Sequence, residues 1–337
     1  MKIVSFNINS FGGVGDTFEE MKKRCNGNYK EALIEWDKKT NYKPILELLD
    51  SVNADVIVLQ EYYINSDVAS EFEEEMRKEN RRYSLHCNHI DKKRPLHTVV
   101  FCRDNICDEK QFFYTGRIYK FRYKDYIIIG AHMPFNPKDK ESVLSIEDEK
   151  RAEEVENEWE RIKEYLRENK DKKCILVGDL NVYDKNTVQY GCFERLFNNE
   201  IGMRDLWVEN GNSEYTPTEI KYKGRLDYAL VTPGLYNENK CNITMVPEHD
   251  EAFNDCKWSL SDHRMLIVEI EEKKKIEKSL AVALTKMFPN GGESYTRDDI
   301  RRVFDEEGVD VSDFDNLMDQ CIKDGWIIPC GENSFTR

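Results

Sequence analysis

Seven segments of this chain are strand-length, rich in β-branched residues and apolar at nearly every position: KIVSF (2–6), DVIVLQ (55–60), HTVVFC (97–102), YIIIGAH (126–132), CILVG (174–178), LDYALVT (226–232) and MLIVEI (265–270). A strand with one wet face alternates polar and apolar residues, whereas a strand apolar throughout is covered on both faces. The sheets of this chain therefore need layers on each side. Amphipathic helices can supply them. Residues 43–52 carry Pro44 in the first turn and set Ile45, Leu48, Leu49 and Val52 on one stripe. Residues 149–168 place Ala152, Val155, Trp159, Ile162 and Leu166 at alternating steps of three and four. Each helix precedes an apolar strand, which predicts an α/β fold with buried sheets.

At 337 residues the chain exceeds the usual size of one domain. The charged stretch EEKKKIEKS (271–279) marks a change of composition and predicts domains at 1–271 and 272–337. In the second, residues 274–288 read as one helix. Thr296 with Asp299 and Ser312 with Asp315 read as helix starts, and Gly308 and Gly325 as stops. WIIPCGENSFT (326–336) reads as two short extended pieces, so the segment resembles a small winged helix. Its residues 273–337 hold 10 basic and 13 acidic side chains, and the helix where a groove reader would sit carries Asp313, Asp315, Asp319 and Asp324 against Lys323 alone. That charge suits a protein partner better than nucleic acid. Residues 11–42 form a long connection after the first strand, of the kind that is functional or mobile. Its Gly12, Gly13 and Gly15 match no phosphate-binding loop.

A net charge of −15 works against loose electrostatic coating of duplex DNA. MKIVSFNINS has no apolar core of signal-peptide length, and no apolar run is long enough to span a bilayer, so the sequence predicts a cytoplasmic protein without a membrane partner. Ten cysteines include no Cys-x-x-Cys, which argues against a zinc site. His86-x-x-His89 has no third ligand at a helpful spacing.

Polar residues gather at the strand ends. Asn7 and Asn9 follow the first strand, Glu61 the second, His132 closes the fourth, and Asp179 and Asn181 follow CILVG. In LVGDLN the alternation with Leu180 puts Asp179 and Asn181 on one face of an extended segment, although Gly-Asp-x-Asn is also turn chemistry. Asp227 and Asp262-His263 lie at the opposite ends of their strands. If those strands run antiparallel to the others, all of these groups meet at one rim, the edge where α/β sheets gather ligand-binding residues.

The ordered series FNIN (6–9), LQE (59–61), GAHMP (130–134), GDLN (178–181), RLDYALV (225–231) and SDH (261–263) resembles the signature of the endonuclease/exonuclease/phosphatase superfamily. The resemblance covers roughly 1–271. It implies a four-layer α/β/β/α sandwich of two packed mixed sheets and Mg2+-dependent cleavage of phosphoester bonds, with Mn2+ as an alternative ion. By the same resemblance Glu61, Asn7 and Asp262 hold the metal, while Asp179 activates water and Asn181 and His132 donate to the phosphate. His263, oriented by Asp227, sits beside the scissile phosphate. Asn9, Tyr215 and Arg225 are offered as substrate contacts, with Tyr222, Lys221 and Lys223 beside them. His132 and Asn9 depart from the pattern of the members that cut at abasic sites. The leading expectation is an intracellular nuclease or nucleic-acid end-processing phosphodiesterase. The alternatives are an esterase for small or lipid-derived phosphoesters, and a non-catalytic scaffold recruiting a protein through 272–337.

Overall fold

The computed structural model describes residues 1–14, 18–64, 66–87, 96–104, 107–108, 116–135, 145–182, 185, 187–220, 224–249, 259–272, 278–288, 294–309, 311–312, 314–331 and 334–336. The chain divides into two compact units, Met1–Glu272 and Lys273–Arg337.

The strands of the first unit are β1 (Lys2–Asn7), β2 (Val56–Tyr63), β3 (Ser84–Cys87), β4 (Leu96–Cys102), β5 (Cys107–Asp108) and β6 (Ile118–Tyr123). They continue as β7 (Tyr126–His132), β8 (Cys174–Asp179), β9 (Arg204–Asp205), β10 (Asp227–Val231), β11 (Asn239–Val246) and β12 (Met265–Glu272). Its helices are α1 (Phe18–Arg24), α2 (Tyr29–Lys39), α3 (Lys43–Val52), α4 (Asp67–Arg77), α5 (Ile146–Glu168), α6 (Val188–Glu194), α7 (Leu206–Glu209) and α8 (Pro233–Glu238). One sheet has the order β11-β12-β1-β2-β4-β3 and the other β5-β6-β7-β8-β10-β9. β1 runs parallel to β2, and β7 to β8. β12 is antiparallel to β1, and β10 to β8.

Alternate residues of the same strands fill different layers. Ile3, Val56 and Val58 meet Ile128 and Val177 between the sheets. Val4 and Ile57 face outward onto Ile45 and Leu49 of α3 and Phe72 of α4. Ile127 and Leu176 face the other way, onto Val155 and Trp159 of α5 and Phe193 of α6. This is why the strand sequences are apolar throughout: both faces are covered, giving the four-layer α/β/β/α sandwich. Each buried aliphatic side chain contributes about 1.5–3 kcal/mol, enough to make the layering decisive.

The 11–42 connection contains two helices, α1 and α2, where the sequence pattern shows only a long insertion. Met21, Ala32 and Trp36 form a small core of their own there. Trp36 packs so close to Gly12 that a Cβ on the glycine would lie 2.6 Å from the indole ring. The strand β11 also escapes a search for continuous apolar runs. It alternates between buried and more exposed residues because it is the edge strand of its sheet.

The second unit holds helices α9 (Lys278–Met287), α10 (Arg297–Glu306) and α11 (Phe314–Lys323), with strands β13 (Tyr295–Thr296), β14 (Ile328–Gly331) and β15 (Ser334–Thr336) in a sheet of order β13-β15-β14. Leu284, Phe304, Phe314, Met318 and Phe335 build its core. Thr296 and Asp299 close a reciprocal capping box at the start of α10. Gly308 and Gly325 take left-handed φ values of +74° and +73° just beyond α10 and α11. Asp310 and Asp313 lie outside the described residues.

Candidate active site

β1, β2, β7 and β8 all end at one rim, and β10 and β12 begin there because each is antiparallel to its neighbour. Asp227 stands directly across from Asp179 in the ladder, and His132 also lies across from Asp179 on the other side. Two carboxylates and an imidazole therefore arrive at one place by strand pairing alone.

Gly178 explains the motif that precedes Asp179. It has φ +144°, and a Cβ there would lie 1.9 Å from the carbonyl oxygen of Ala131, so only glycine lets β8 approach β7 at this point. Asp179 is the last residue of β8. Its Oδ1 accepts the backbone N–H of Asn181 at 3.0 Å, and Asn181 has φ 51°. The turn and the site are thus one structure, since the carboxylate that closes the turn also faces the rim. The extended geometry expected for LVGDLN stops at Asp179. Asn181 sends its amide to the Met133 carbonyl at 2.8 Å.

Glu61 reaches the rim through a comparable irregularity. The β2–β4 register shifts between Leu59 and Tyr62, and Glu61 takes φ 53°, a strained setting for a residue with a Cβ. Ser10 holds that backbone by donating to the Glu61 carbonyl at 2.8 Å. Glu61 Oε1 lies 3.6 Å from His132 Nε2, and Asp179 Oδ2 lies 3.8 Å from the same nitrogen.

On the other flank Asn7 donates to Asp179 Oδ2 at 3.0 Å and lies 3.5 Å from His263 Nε2. His263 Nδ1 is 2.8 Å from Asp227 Oδ2, and its Nε2 is 3.9 Å from Asp179 Oδ2. Asn7, Glu61, His132, Asp179, Asp227 and His263 therefore form one continuous cluster. Asn9 stands a step behind it, donating its backbone N–H to Asn7 Oδ1 at 3.1 Å and its amide to Gly13 O at 3.0 Å. Asp262 flanks the cluster, half-buried, and its charge acts on Glu61.

Two of the expected substrate contacts lie elsewhere. Arg225 is buried and spends both terminal nitrogens on Asp205, each at 2.7 Å. Tyr215 is exposed at the surface, with Lys185 Nζ donating to its hydroxyl at 3.4 Å. Lys221, Tyr222, Lys223 and His89 lie outside the described residues. Sequence reasoning missed three supporting residues. Thr218 Oγ1 accepts the backbone N–H of Asp227 at 3.0 Å, and Ser261 Oγ donates to Asn7 O at 2.6 Å while accepting from His263 N at 3.2 Å. Arg117 adds positive charge near Glu61 and His132. Only Ser261 carried a signal, as the neighbour of Asp262-His263; the other two act through field or backbone from distant segments.

The electrostatics are those of acids packed together away from water. Burial raises Asp179 above the usual carboxylate range, and the charges of Asp227 and Glu61 add to it, against His263 and the Asn7 hydrogen bond. Burial also raises Glu61, helped by Asp262 and opposed by His263, Asn7 and Arg117. The two imidazoles diverge. Burial together with Arg117 and His263 drives His132 well below its ordinary value, so it is neutral at pH 7. Burial pulls His263 the same way, but Asp227 and Asp179 overcome it and hold the ring protonated.

Glu61, His132 and Asp179 each offer one ligand atom within 4.8 Å of the others, the one such group among the described residues. Their donor set fits a divalent cation. The carboxylates of Glu61 and Asp179 supply the hard oxygen donors that Mg2+ or Mn2+ takes up.

A two-sheet sandwich with an acid–imidazole rim is the architecture of a nuclease-like phosphoester hydrolase. The chain belongs to the Endonuclease/Exonuclease/phosphatase family, whose model matches residues 4–263. No curated protein matches the sequence. Among solved structures it is similar to an AP endonuclease from Archaeoglobus fulgidus, with TM-score 0.53 and 15% identity over 80% of this chain and 99% of that one. It is also similar to a 3'-5' exonuclease, NExo, from Neisseria meningitidis, with TM-score 0.52 and 16% identity over 80% of this chain and 100% of that one. A variant of the 3' phosphatase NExo from Neisseria, bound to product DNA hairpin, gives TM-score 0.51 and 16% identity over 80% of this chain and 99% of that one. At such identities the likeness concerns the fold.

Proposed function

We propose that this protein is a divalent-cation-dependent phosphodiesterase that hydrolyses nucleic acid. The observation that carries the reading is the convergence of Glu61, Asp179 and the Asp227–His263 pair on one rim, with contacts of 2.8 to 3.9 Å linking Asp179, His132 and His263 to their neighbours.

In this reading Glu61 is the principal ligand for Mg2+, with Asn7 and Asp262 as partners; Mn2+ would serve in its place. A bound cation supplies Lewis-acid polarisation of a phosphoryl oxygen. Asp179 orients a water opposite the leaving oxygen and accepts its proton. It must be ionised to do so, and positive charge at His263 and at a Glu61-held cation favours that form. His263, kept protonated by Asp227, donates to an oxygen on which negative charge develops. His132, neutral, donates one ring N–H to another. Asn9 steadies Asn7, and Asn181 fixes the backbone that aims Asp179.

Nucleic acid as substrate is supported by a likeness to a protein whose structure holds a DNA hairpin product. The net charge of −15 favours the second reading, an esterase for small phosphoesters. We place the catalytic domain at 1–271 and read residues 272–337 as a winged-helix-like module for a protein partner, in a protein of the cytoplasm. Among the described residues no helix is long and apolar enough to cross a membrane.

The test is a substrate panel of labelled single- and double-stranded DNA, RNA and a generic aryl phosphodiester, each with Mg2+ or EDTA. Cation-dependent cleavage of DNA or RNA is expected. Turnover of the aryl ester alone would select the second reading, and no turnover of anything would defeat both.

A further inference from the structure

Two pieces of left-handed backbone meet at the rim, one just after β1 and one inside β2. Asn9, Ser10 and Phe11 take φ values of 42°, 51° and 64° in succession, and Glu61 takes 53°. Asparagine visits this region readily, whereas serine, phenylalanine and glutamate bring their Cβ too close to the backbone there. Strain of this kind persists only where the surrounding structure holds it in place, and it collects at functional sites.

Neither neighbouring strand registers on Glu61. Pairing of β2 with β1 ends at Gln60, and pairing with β4 passes from Leu59 to Tyr62. The Ser10 hydroxyl spans that gap, donating to the Glu61 carbonyl at 2.8 Å. The turn that carries Ser10 has anchors of its own. Phe11 N and Gly12 N close it on Ile8 O and Asn9 O at 2.9 and 2.8 Å, and Asn41 N donates to Phe11 O at 3.2 Å. The Phe11 ring is buried against Tyr62 at 5.7 Å and Phe72 at 5.1 Å between centroids. Glycine would adopt the Ser10 conformation without the Cβ penalty. What serine adds is a hydroxyl, and that hydroxyl is spent on Glu61.

The same turn orients a second residue of the cation site. Asn9 donates its backbone N–H to Asn7 Oδ1 at 3.1 Å, which leaves the Asn7 amide directed at Asp179 Oδ2 at 3.0 Å. Asn7 and Glu61 therefore hang on one short segment. We propose that Ser10 is a positioning residue for the cation site: its hydroxyl fixes the Glu61 backbone where the strands do not, and so keeps the carboxylate at the rim beside Asn7. The inference rests on the cation reading above and adds to it a residue that acts through Glu61.

The test is Mn2+ titration of the full-length protein by electron paramagnetic resonance, with thermal unfolding in cation-free buffer read alongside. Ser10→Gly removes the hydroxyl and the strain together, and Ser10→Ala removes the hydroxyl and keeps the Cβ. Both variants are expected to bind Mn2+ about fivefold more weakly than wild type, the effect of one net hydrogen bond. Their unfolding midpoints should separate, with Ser10→Gly near wild type and Ser10→Ala lower. In a Glu61→Gln background Ser10→Gly should change Mn2+ affinity by less than about twofold, because the carboxylate through which Ser10 acts is gone. Wild-type affinity in Ser10→Gly, a fall in its midpoint as large as that of Ser10→Ala, or an undiminished effect in the Glu61→Gln background would overturn the positioning role and leave the cation reading standing. A wild type that binds no Mn2+ would overturn the cation reading, and the role of Ser10 with it.

Discussion

The rim of the large unit and the core of the C-terminal unit are built on opposite terms. At the rim, Asp179, Asp227, His132 and His263 have side chains 2% to 7% exposed, packed against one another with little water. In the C-terminal unit every fully buried residue described is apolar, and its ion pairs sit outside: Asp315, paired with Arg297 at 2.9 Å, is 87% exposed. Burying charge is costly unless it is compensated, so a chain that concentrates it in one place and avoids it in another shows where chemistry outweighs stability. The small unit buries apolar side chains and leaves its charge toward solvent.

That contrast is broken most severely by Asp179→Asn. Loss of the proton acceptor is expected to lower kcat by about 10³-fold or more against whichever ester the enzyme cleaves. The same variant should be more stable than wild type in cation-free buffer at pH 7. The Asp179 pKa is raised in the folded state from an ordinary 3.8, so the folded protein keeps a proton that the unfolded chain releases, and wild-type stability falls as pH rises through this range. Thermal unfolding across pH 4 to 7 checks the sign: the advantage of Asp179→Asn should grow with pH. Asp227→Asn comes next. It removes the charge that holds His263 protonated, so the alkaline limb of the pH–rate profile should move to lower pH and kcat at neutral pH should drop about 10²-fold. An unmoved profile would mean that the protonated form of His263 plays no part.

In the small unit the expected effects are structural. Met318 is wholly buried among Phe304, Phe314 and Phe335, and Met318→Ala should destabilise that unit by about 2–5 kcal/mol while leaving turnover of a small ester within about twofold. Melting of the unit accompanied by lost turnover would tie it to catalysis. Smallest of all, Asp315→Ala should leave the unfolding midpoint where it is, since exposed ion pairs contribute little.

What the sequence reveals follows the physics of each element. Strands covered on both faces announce themselves as uninterrupted apolar runs, and the order Asn7, Glu61, His132, Asp179, Asp227, His263 is legible because each residue sits at the end of such a run. β11 escapes because an edge strand alternates, and α2 because its one buried indole, Trp36, packs against a local cluster with no long stripe. The left-handed backbone at Glu61 and the reach of Thr218 to Asp227 depend on pairings between segments far apart in the chain, which no local pattern encodes. Arg225 shows the converse: its charge is obvious in the sequence, but its partner Asp205 is not.

In the proposed function Glu61 and its neighbours form one cation site poised beside Asp179 and His263. Titration of Mn2+ into the cation-free protein, followed by electron paramagnetic resonance, reads that site without requiring a substrate. Wild type is expected to bind Mn2+ with Glu61→Gln at least about tenfold weaker, as loss of a principal ligand demands. Equal binding by the two proteins would remove Glu61 from any cation site.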